Sequence, residues 1–370
     1  MRIPLSLATL LLFAAVQAAA GDMPVPTPSP TPEPPAPCNG MGPGVTLRIA
    51  CTGYCADSQV AAIRKVAEEM KVRVDFLVLM DKSGQASVDL ENPEKSFDAI
   101  ISPGGWDTLP GYFGALGPDN PEKKELRAHM EDLFCTQKLG KTGEFTQKRD
   151  HFEFDFDAGI YLRNSRYRNI PYLATCYGMQ LMGAALGMPE YVDIEWDLHI
   201  PNRKKKSDTD PNVSDSVTIT DRSSTIGKIF PKGGFTAVES HHQALHLDYY
   251  NRHKKDFPAL KVTGTSNDGK ILESFEIVNR NFIGTQFHPE NSNDDVKLPM
   301  YRWFLQNACV QAKRAGRRFS IANLLAKLHP VPGAPKGALP DSKEGAVMGC
   351  PLTEVPAANS SLTGSTMSKP

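Results

Sequence analysis

The stretch Pro171-Tyr-Leu-Ala-Thr-Cys176-Tyr-Gly178-Met-Gln180 puts a thiol where chemistry can be done. A short apolar run leads into Cys176, Gly178 follows two positions later, and Met179 to Leu186 is helix-forming up to Gly187. Strand, cysteine, sharp turn and helix make the layout of a nucleophile elbow. The turn pushes the side chain out of the sheet, and the helix N-terminus beneath it favours negative charge on sulfur. Alone, the segment fits a buried, inert cysteine at a strand end equally well. Further along, Gln286-Phe-His288-Pro-Glu290 follows an apolar strand. In such a turn His288 can face the thiol as its base, and Glu290 can reach back to fix the ring tautomer. Upstream, Pro103-Gly104-Gly105 closes another strand. Its backbone N–H groups and that of Tyr177, the residue after the nucleophile, supply two donors for an oxyanion. Ser240-His241-His242-Gln243 is a third polar knot beside a predicted strand. It reads as support behind the site or as substrate-binding surface, with a plain surface turn as the alternative.

These groups need a scaffold that brings strand ends together. Thr46–Cys51, Val72–Leu79 and Phe97–Ser102 read as strands, with a helix over Gln59–Met70 capped by Asp57 or Ser58. Leu126 to about Leu162 reads as helical, with a break near Gly140–Gly143. The alternation predicts an α/β fold, a flavodoxin-like open and mostly parallel sheet with helices on both faces. Ligands in such sheets bind beyond the carboxyl ends of the strands, where Gly104-Gly105 and Cys176 fall. The runs Ser216–Thr220, Phe235–Glu239, Leu260–Gly264, Ile271–Val278 and Phe282–Phe287 make the second half strand-rich. Met300–Lys313 reads as an amphipathic closing helix, and Ile321–Lys327 as a further one. Residues 202–212 read as a solvated loop.

The chain has 370 residues and a net charge of -1, with no basic stripe, so a nucleic-acid partner is not expected. Met1-Arg2, an apolar run over Leu5–Val16 and the small residues Ala18 and Ala20 read as a secretory signal peptide cut after Ala18 or Ala20. The alternative is an uncleaved anchor. No other stretch is long and apolar enough to span a bilayer, so no membrane contact is expected after cleavage. The expected organisation is a signal peptide over 1–20, a Pro-rich extended linker over 21–44, a catalytic domain over 45–318 and a poorly ordered extension over 319–370. Secretion, or export to a periplasm, implies an oxidising compartment. Seven cysteines leave at least one unpaired; if that one is Cys176, six remain for bridges whose connectivity is open. Cys51 and Cys55 lack the usual zinc spacing, no Cys/His cluster stands at metal spacing, and no metal is expected.

At these residues the chain resembles the class I glutamine amidotransferase superfamily, and within it the peptidase C26 group of γ-glutamyl hydrolases, including the γ-glutamyl-γ-aminobutyrate hydrolases. Four blocks carry the resemblance in order: Asp98–Gly105, Arg149-Asp150 and Glu153 ahead of Pro171–Gln180, Val238–Gln243, and Gln286–Glu290. It implies Cys176 as nucleophile, His288 as base, Glu290 as its orienter, and an oxyanion hole at the N–H groups of Gly105 and Tyr177. The substrate would be a small γ-glutamyl amide, the intermediate a γ-glutamyl thioester, and Gln180 would help hold the glutamyl part. Gly104, Ser240, His241, His242 and Trp106 complete the expected substrate surface, and no cofactor is expected. Trp106 and Tyr112 fit either the pocket or the core. Tyr177 stands where the family often has Arg, so the acceptor side of the pocket is expected to differ there. Glu239 stands where Asn is usual. Two other readings compete: a DJ-1/PfpI-like cysteine hydrolase, although such proteins often have His directly after the cysteine, and a non-catalytic binding protein that keeps the fold. The sequence does not fix the oligomeric state.

Overall fold

Short β-branched and apolar runs separated by helix-forming segments assemble into one nine-stranded sheet. The computed structural model describes Cys38 and residues 46–105, 107–114, 116–117, 119–136, 144–201 and 213–315. The expected leader, the linker apart from Cys38, the helix over 321–327, the C-terminal extension and Trp106 lie outside the described residues. The strands are β1 (Thr46–Cys51), β2 (Arg73–Val78), β3 (Ala99–Ser102), β4 (Tyr172–Thr175), β5 (Glu190–Tyr191), β6 (Val213–Ile219), β7 (Gly234–Glu239), β8 (Ala244–Leu245), β9 (Leu260–Ser266), β10 (Ile271–Ile277) and β11 (Phe282–Thr285). The main sheet runs β2-β1-β3-β4-β11-β10-β9-β6-β7, and β5 pairs with β8 separately. From β2 to β11 every pairing is parallel; from β11 to β7 every pairing is antiparallel. The fold is thus α/β, and the antiparallel half is the strand-rich region expected from the sequence.

The central strands β3, β4 and β11 are buried at every position. Strands covered on both faces are mostly apolar, which is why these read as short hydrophobic runs, each closed by a buried hydroxyl residue, Ser102, Thr175 or Thr285. One face carries α1 (Asp57–Glu69) and α5 (Asp294–Arg314), whose Ile63, Val66, Phe304 and Leu305 pack on Ile49, Ile101 and Leu173. The other carries α3 (Glu144–Asp155), a π-helical turn at Phe156–Tyr161 and α4 (Tyr177–Ala185). There Tyr161 meets Tyr172 edge-on at 5.0 Å between ring centroids, and Tyr172 meets Phe282 at 5.2 Å. Such contacts add about 0.5–1.5 kcal/mol each beyond the area they bury. α2 (Pro121–Thr136) lies ahead of α3 in the chain. The break expected near 140–143 falls outside the described residues; helices stand on either side of it. Tyr112 belongs to this second core, where its hydroxyl bonds His151 Nδ1 at 2.7 Å.

Among the described residues two disulfides are formed, Cys38–Cys309 and Cys51–Cys55. The first ties the chain ahead of β1 to α5. The second closes the turn between β1 and α1. It also explains why neither Asp57 nor Ser58 caps that helix. The chain leaves Cys55 extended at Ala56, which is the N-cap without a side-chain bond, and Asp57 already lies in the first turn. Its carboxylate still sits at the positive end of the helix dipole. Among the described residues no helix is long and apolar enough to cross a membrane.

Candidate active site

β4 delivers Cys176 to the carboxyl edge of the sheet, and the backbone turns there at φ 50, ψ -108 before α4 begins at Tyr177. This left-handed position is uncommon for a residue with a side chain and costs on the order of 1–3 kcal/mol. Two bonds hold it: Cys176 N donates to Thr285 O at 2.6 Å, and Gln180 N donates to Cys176 O at 2.9 Å. The strained turn lifts Sγ off the sheet, and Gly178 fits beneath it because any Cβ there would collide with the Ser102 hydroxyl. Cys176 is the free cysteine among the described residues.

β11 ends beside β4, so the segment after it, Gln286 to Glu290, arrives next to the thiol. His288 Nδ1 pairs with Glu290 Oε1 at 2.8 Å, which leaves Nε2 for the thiol side. The carboxylate fixes the tautomer and stabilises an imidazolium. Burial pulls the His288 pKa down, but Glu290 and then Cys176 raise it well above the ordinary value. The ring is positioned as a base whose protonated form is favoured. Gln286 Nε2 approaches Cys176 Sγ at 3.6 Å. His288 N donates to Val238 O at 2.8 Å, so β7 also fixes the base.

The turn after β3 closes the third side. Gly104 packs against the His288 ring so closely that a Cβ would stand 2.7 Å from Cε1. Gly104→Ala is therefore expected to displace the ring and lower kcat/KM by about 10–100-fold, since small misplacements of reacting groups are costly. Steady-state kinetics with a retained thermal midpoint would separate this from unfolding. Arg149 on α3 holds the turn from behind. Its Nη2 donates to Pro103 O at 2.6 Å, its Nη1 to Gly104 O at 3.1 Å, and its Nε to Glu153 Oε1 at 2.6 Å. The guanidinium is fully buried over the rings of Tyr177 at 3.9 Å and Tyr54 at 4.9 Å. Burial opposes its charge, but Glu153, Tyr177 and Tyr54 together raise its pKa.

A cavity of about 440 Å³ joins these parts. Cys176, His288 and Glu290 line it, as do Gly104, Gly105, Gln180 and the Ser240–Gln243 knot. The Nε2 of Gln180 is bonded to Gln243 O at 2.9 Å and Gln286 Oε1 at 3.3 Å, so this amide ties elements together at the cavity wall. His242 is gripped by two carboxylates, Asp193 at 3.1 Å through Nδ1 and Asp107 at 2.6 Å through Nε2. Tyr54, Asp57, Ser58, Asp107 and Asn291 line the cavity too, and sequence reasoning did not single them out for it. The one available signal was Tyr54, bracketed by Cys51 and Cys55; its hydroxyl bonds Gly104 O at 2.8 Å.

Tyr177 departs from expectation. Its side chain does not line the cavity. The ring is buried under Arg149, and its hydroxyl donates to Asp150 Oδ1. Burial pushes the Asp150 pKa up to about 7 against the pull of that bond. The residue after a nucleophile elbow starts the helix, and here its side chain turns back under the Gly105 turn rather than into the cavity. The acceptor side of the pocket is therefore not shaped by this ring. Tyr177→Phe is expected to cost about 1–3 kcal/mol in urea denaturation, because it strips a buried carboxyl of its donor, while KM stays unchanged.

Nothing in the sequence pattern signalled that Glu239, His241 and Glu273 would meet. All three are buried, and one donor atom from each lies within 4.8 Å of the others.

Known proteins resemble parts of this chain. The Peptidase C26 family profile matches residues 130–290. A CTP synthase of Roseiflexus sp. is 29% identical over 180 residues, 42% of this chain and 30% of that protein. Protein NtpR of Enterococcus hirae is 26% identical over 217 residues, 56% of this chain and 74% of its own length. The chain thus spans less than a third of the CTP synthases it matches. A solved structure from Thermoplasma acidophilum, described as that of a GMP synthase component, is 13% identical with a TM-score of 0.41. It covers 73% of this chain and 97% of its own.

Proposed function

We propose, from its place in the class I glutamine amidotransferase-like superfamily, that this chain is an exported cysteine hydrolase that cleaves γ-glutamyl amide bonds. The Peptidase C26 match over residues 130–290 supports a hydrolase of the amidotransferase-like class. The finer reading rests on one observation: a strained cysteine, a histidine held at 2.8 Å by a glutamate, and a glycine turn all line one cavity. Export is supported by the two disulfides, which persist in oxidising compartments.

The steps follow from the placement of the groups. The Cys176 thiol gives its proton to His288 Nε2, and the sulfur attacks the γ-carbonyl carbon. Negative charge grows on the carbonyl oxygen as the bond to sulfur forms. The first N–H groups of α4 have no acceptor within the helix, so that of Tyr177 is available to the oxyanion together with that of Gly105. Collapse breaks the C–N bond, and imidazolium protonates the leaving amine. Water then enters, His288 takes its proton, and the γ-glutamyl thioester is cleaved to glutamate and free thiol. Throughout, Glu290 holds Nδ1–H through its 2.8 Å contact.

A release assay over γ-glutamyl amides, matched α-glutamyl amides and glutamine tests the substrate class. The expected result is glutamate release from γ-linked compounds alone. Release from α-linked compounds at the same rate would sink the γ-glutamyl reading.

A further inference from the structure

Beside the catalytic cavity lies a cluster the reaction does not use. Glu239 ends β7, His241 lies two residues on, and Glu273 stands in β10. The Glu239 and Glu273 side chains are almost wholly buried, and His241 is 4% exposed. His241 Nδ1 meets Gln243 O at 2.9 Å. A carbonyl oxygen only accepts, so Nδ1 carries the proton and Nε2 presents its other face to the acids. There it lies 3.1 Å from Glu239 Oε2. On Glu273, Oε1 accepts from Ser266 Oγ at 2.6 Å. Its second oxygen, Oε2, is buried with no hydrogen-bond partner among the described residues.

We propose that Glu239, His241 and Glu273 form a divalent-cation site for a borderline metal of the Zn2+ type, built behind the catalytic base. The cluster sets two carboxylates and an imidazole nitrogen face to face in a buried site, and Glu273 Oε2 has no hydrogen-bond partner there among the described residues. A buried oxygen left without a partner, such as Glu273 Oε2, is costly, and a divalent ion would satisfy it. The surroundings are those of ligands: a metal-bound histidine commonly donates its other N–H to a backbone carbonyl, and ligating carboxylates are themselves hydrogen-bonded. One imidazole and two carboxylates suit Zn2+ or its first-row neighbours better than Ca2+ or Mg2+. Donors about 2.1 Å from one tetrahedral ion lie about 3.4 Å apart, so the three donor atoms, all within 4.8 Å of one another, would draw together on binding. His241 lines the cavity, which provides the entry path. The ion would act on the catalytic edge through the backbone. Gln286 N donates to Glu273 O at 2.8 Å, and His288 N donates to Val238 O, next to Glu239.

The test uses the full chain, stripped with chelator, mixed with equimolar Zn2+ and desalted before metal analysis. One zinc per chain is expected for the wild type and for Cys176→Ala. Retention is expected to fall at least tenfold in Glu273→Gln and in Glu239→Gln. Absence of zinc from the wild type overturns the proposal, as does zinc kept by Glu273→Gln or lost from Cys176→Ala. Should both glutamine variants fail to fold, Co2+ bound to the wild type decides. Visible d–d bands without a thiolate charge-transfer band support the site; a thiolate band, or no spectrum, overturns it. The readout is metal content, so its failure leaves the hydrolase reading standing.

Discussion

Cys176→Ala is expected to release no glutamate from any γ-glutamyl amide, a fall on the order of 10⁴–10⁶-fold in kcat, as for other enzymes stripped of their nucleophile. The protein should remain folded. The two backbone bonds that hold the turn, Cys176 N to Thr285 O and Gln180 N to Cys176 O, do not involve the sulfur. His288→Ala should lose as much, because thiol and imidazole act as one unit. For the same reason the double variant should be no worse than either single one. Glu290 sets the ring tautomer through its 2.8 Å contact but touches no reacting atom. Glu290→Gln should therefore keep part of the activity. Its His288 should also titrate lower by NMR, because the larger of the two charges that raise its pKa is gone. Residual turnover in Cys176→Ala equal to wild type would remove this cysteine from the mechanism. Additive losses in the double variant would show that the two side chains do not share one step.

Arg149→Met is expected to be the most destabilising substitution at the site, by about 3–5 kcal/mol in urea denaturation, the usual cost of breaking a buried ion pair on one side. The side chain carries three attachments at once. It neutralises Glu153, which is buried and also accepts from Ser102 Oγ at 2.6 Å. It satisfies the carbonyls of Pro103 and Gly104, and it packs between two aromatic rings. Methionine replaces some packing but strands the carboxylate and both carbonyls. Pairing it with Glu153→Leu should recover part of the loss, because the isolated charge disappears; the remaining deficit reports the carbonyl bonds. Activity should fall in both variants, since the Gly104–Gly105 turn loses its tether. A loss below about 1 kcal/mol for Arg149→Met would mean that the pair is not a buried tie.

The pattern along the chain is legible where the signal is local. The parallel strands announce themselves as short apolar runs because they are covered on both faces, and the elbow shows itself because only Gly178 tolerates the Ser102 hydroxyl beneath it. Glu290 could be paired with His288 because a two-residue offset across a proline turn brings side chains back together. The helix cap was misplaced because a disulfide, not a side-chain bond, sets how the chain enters α1.

By itself, then, the sequence determined the α/β order, the edge at which Cys176, Gly104-Gly105 and His288 emerge, and the residue types available there. Tertiary structure alone decided that Tyr177 turns away from the cavity, because that depends on Arg149 and Asp150 arriving from α3. It alone decided that Glu239, His241 and Glu273 meet, because β7 and β10 are not neighbours in the sheet. Spacing along a chain encodes which way a side chain points from its own element. Which charges then face each other is set by sheet order and by the cost of burying them.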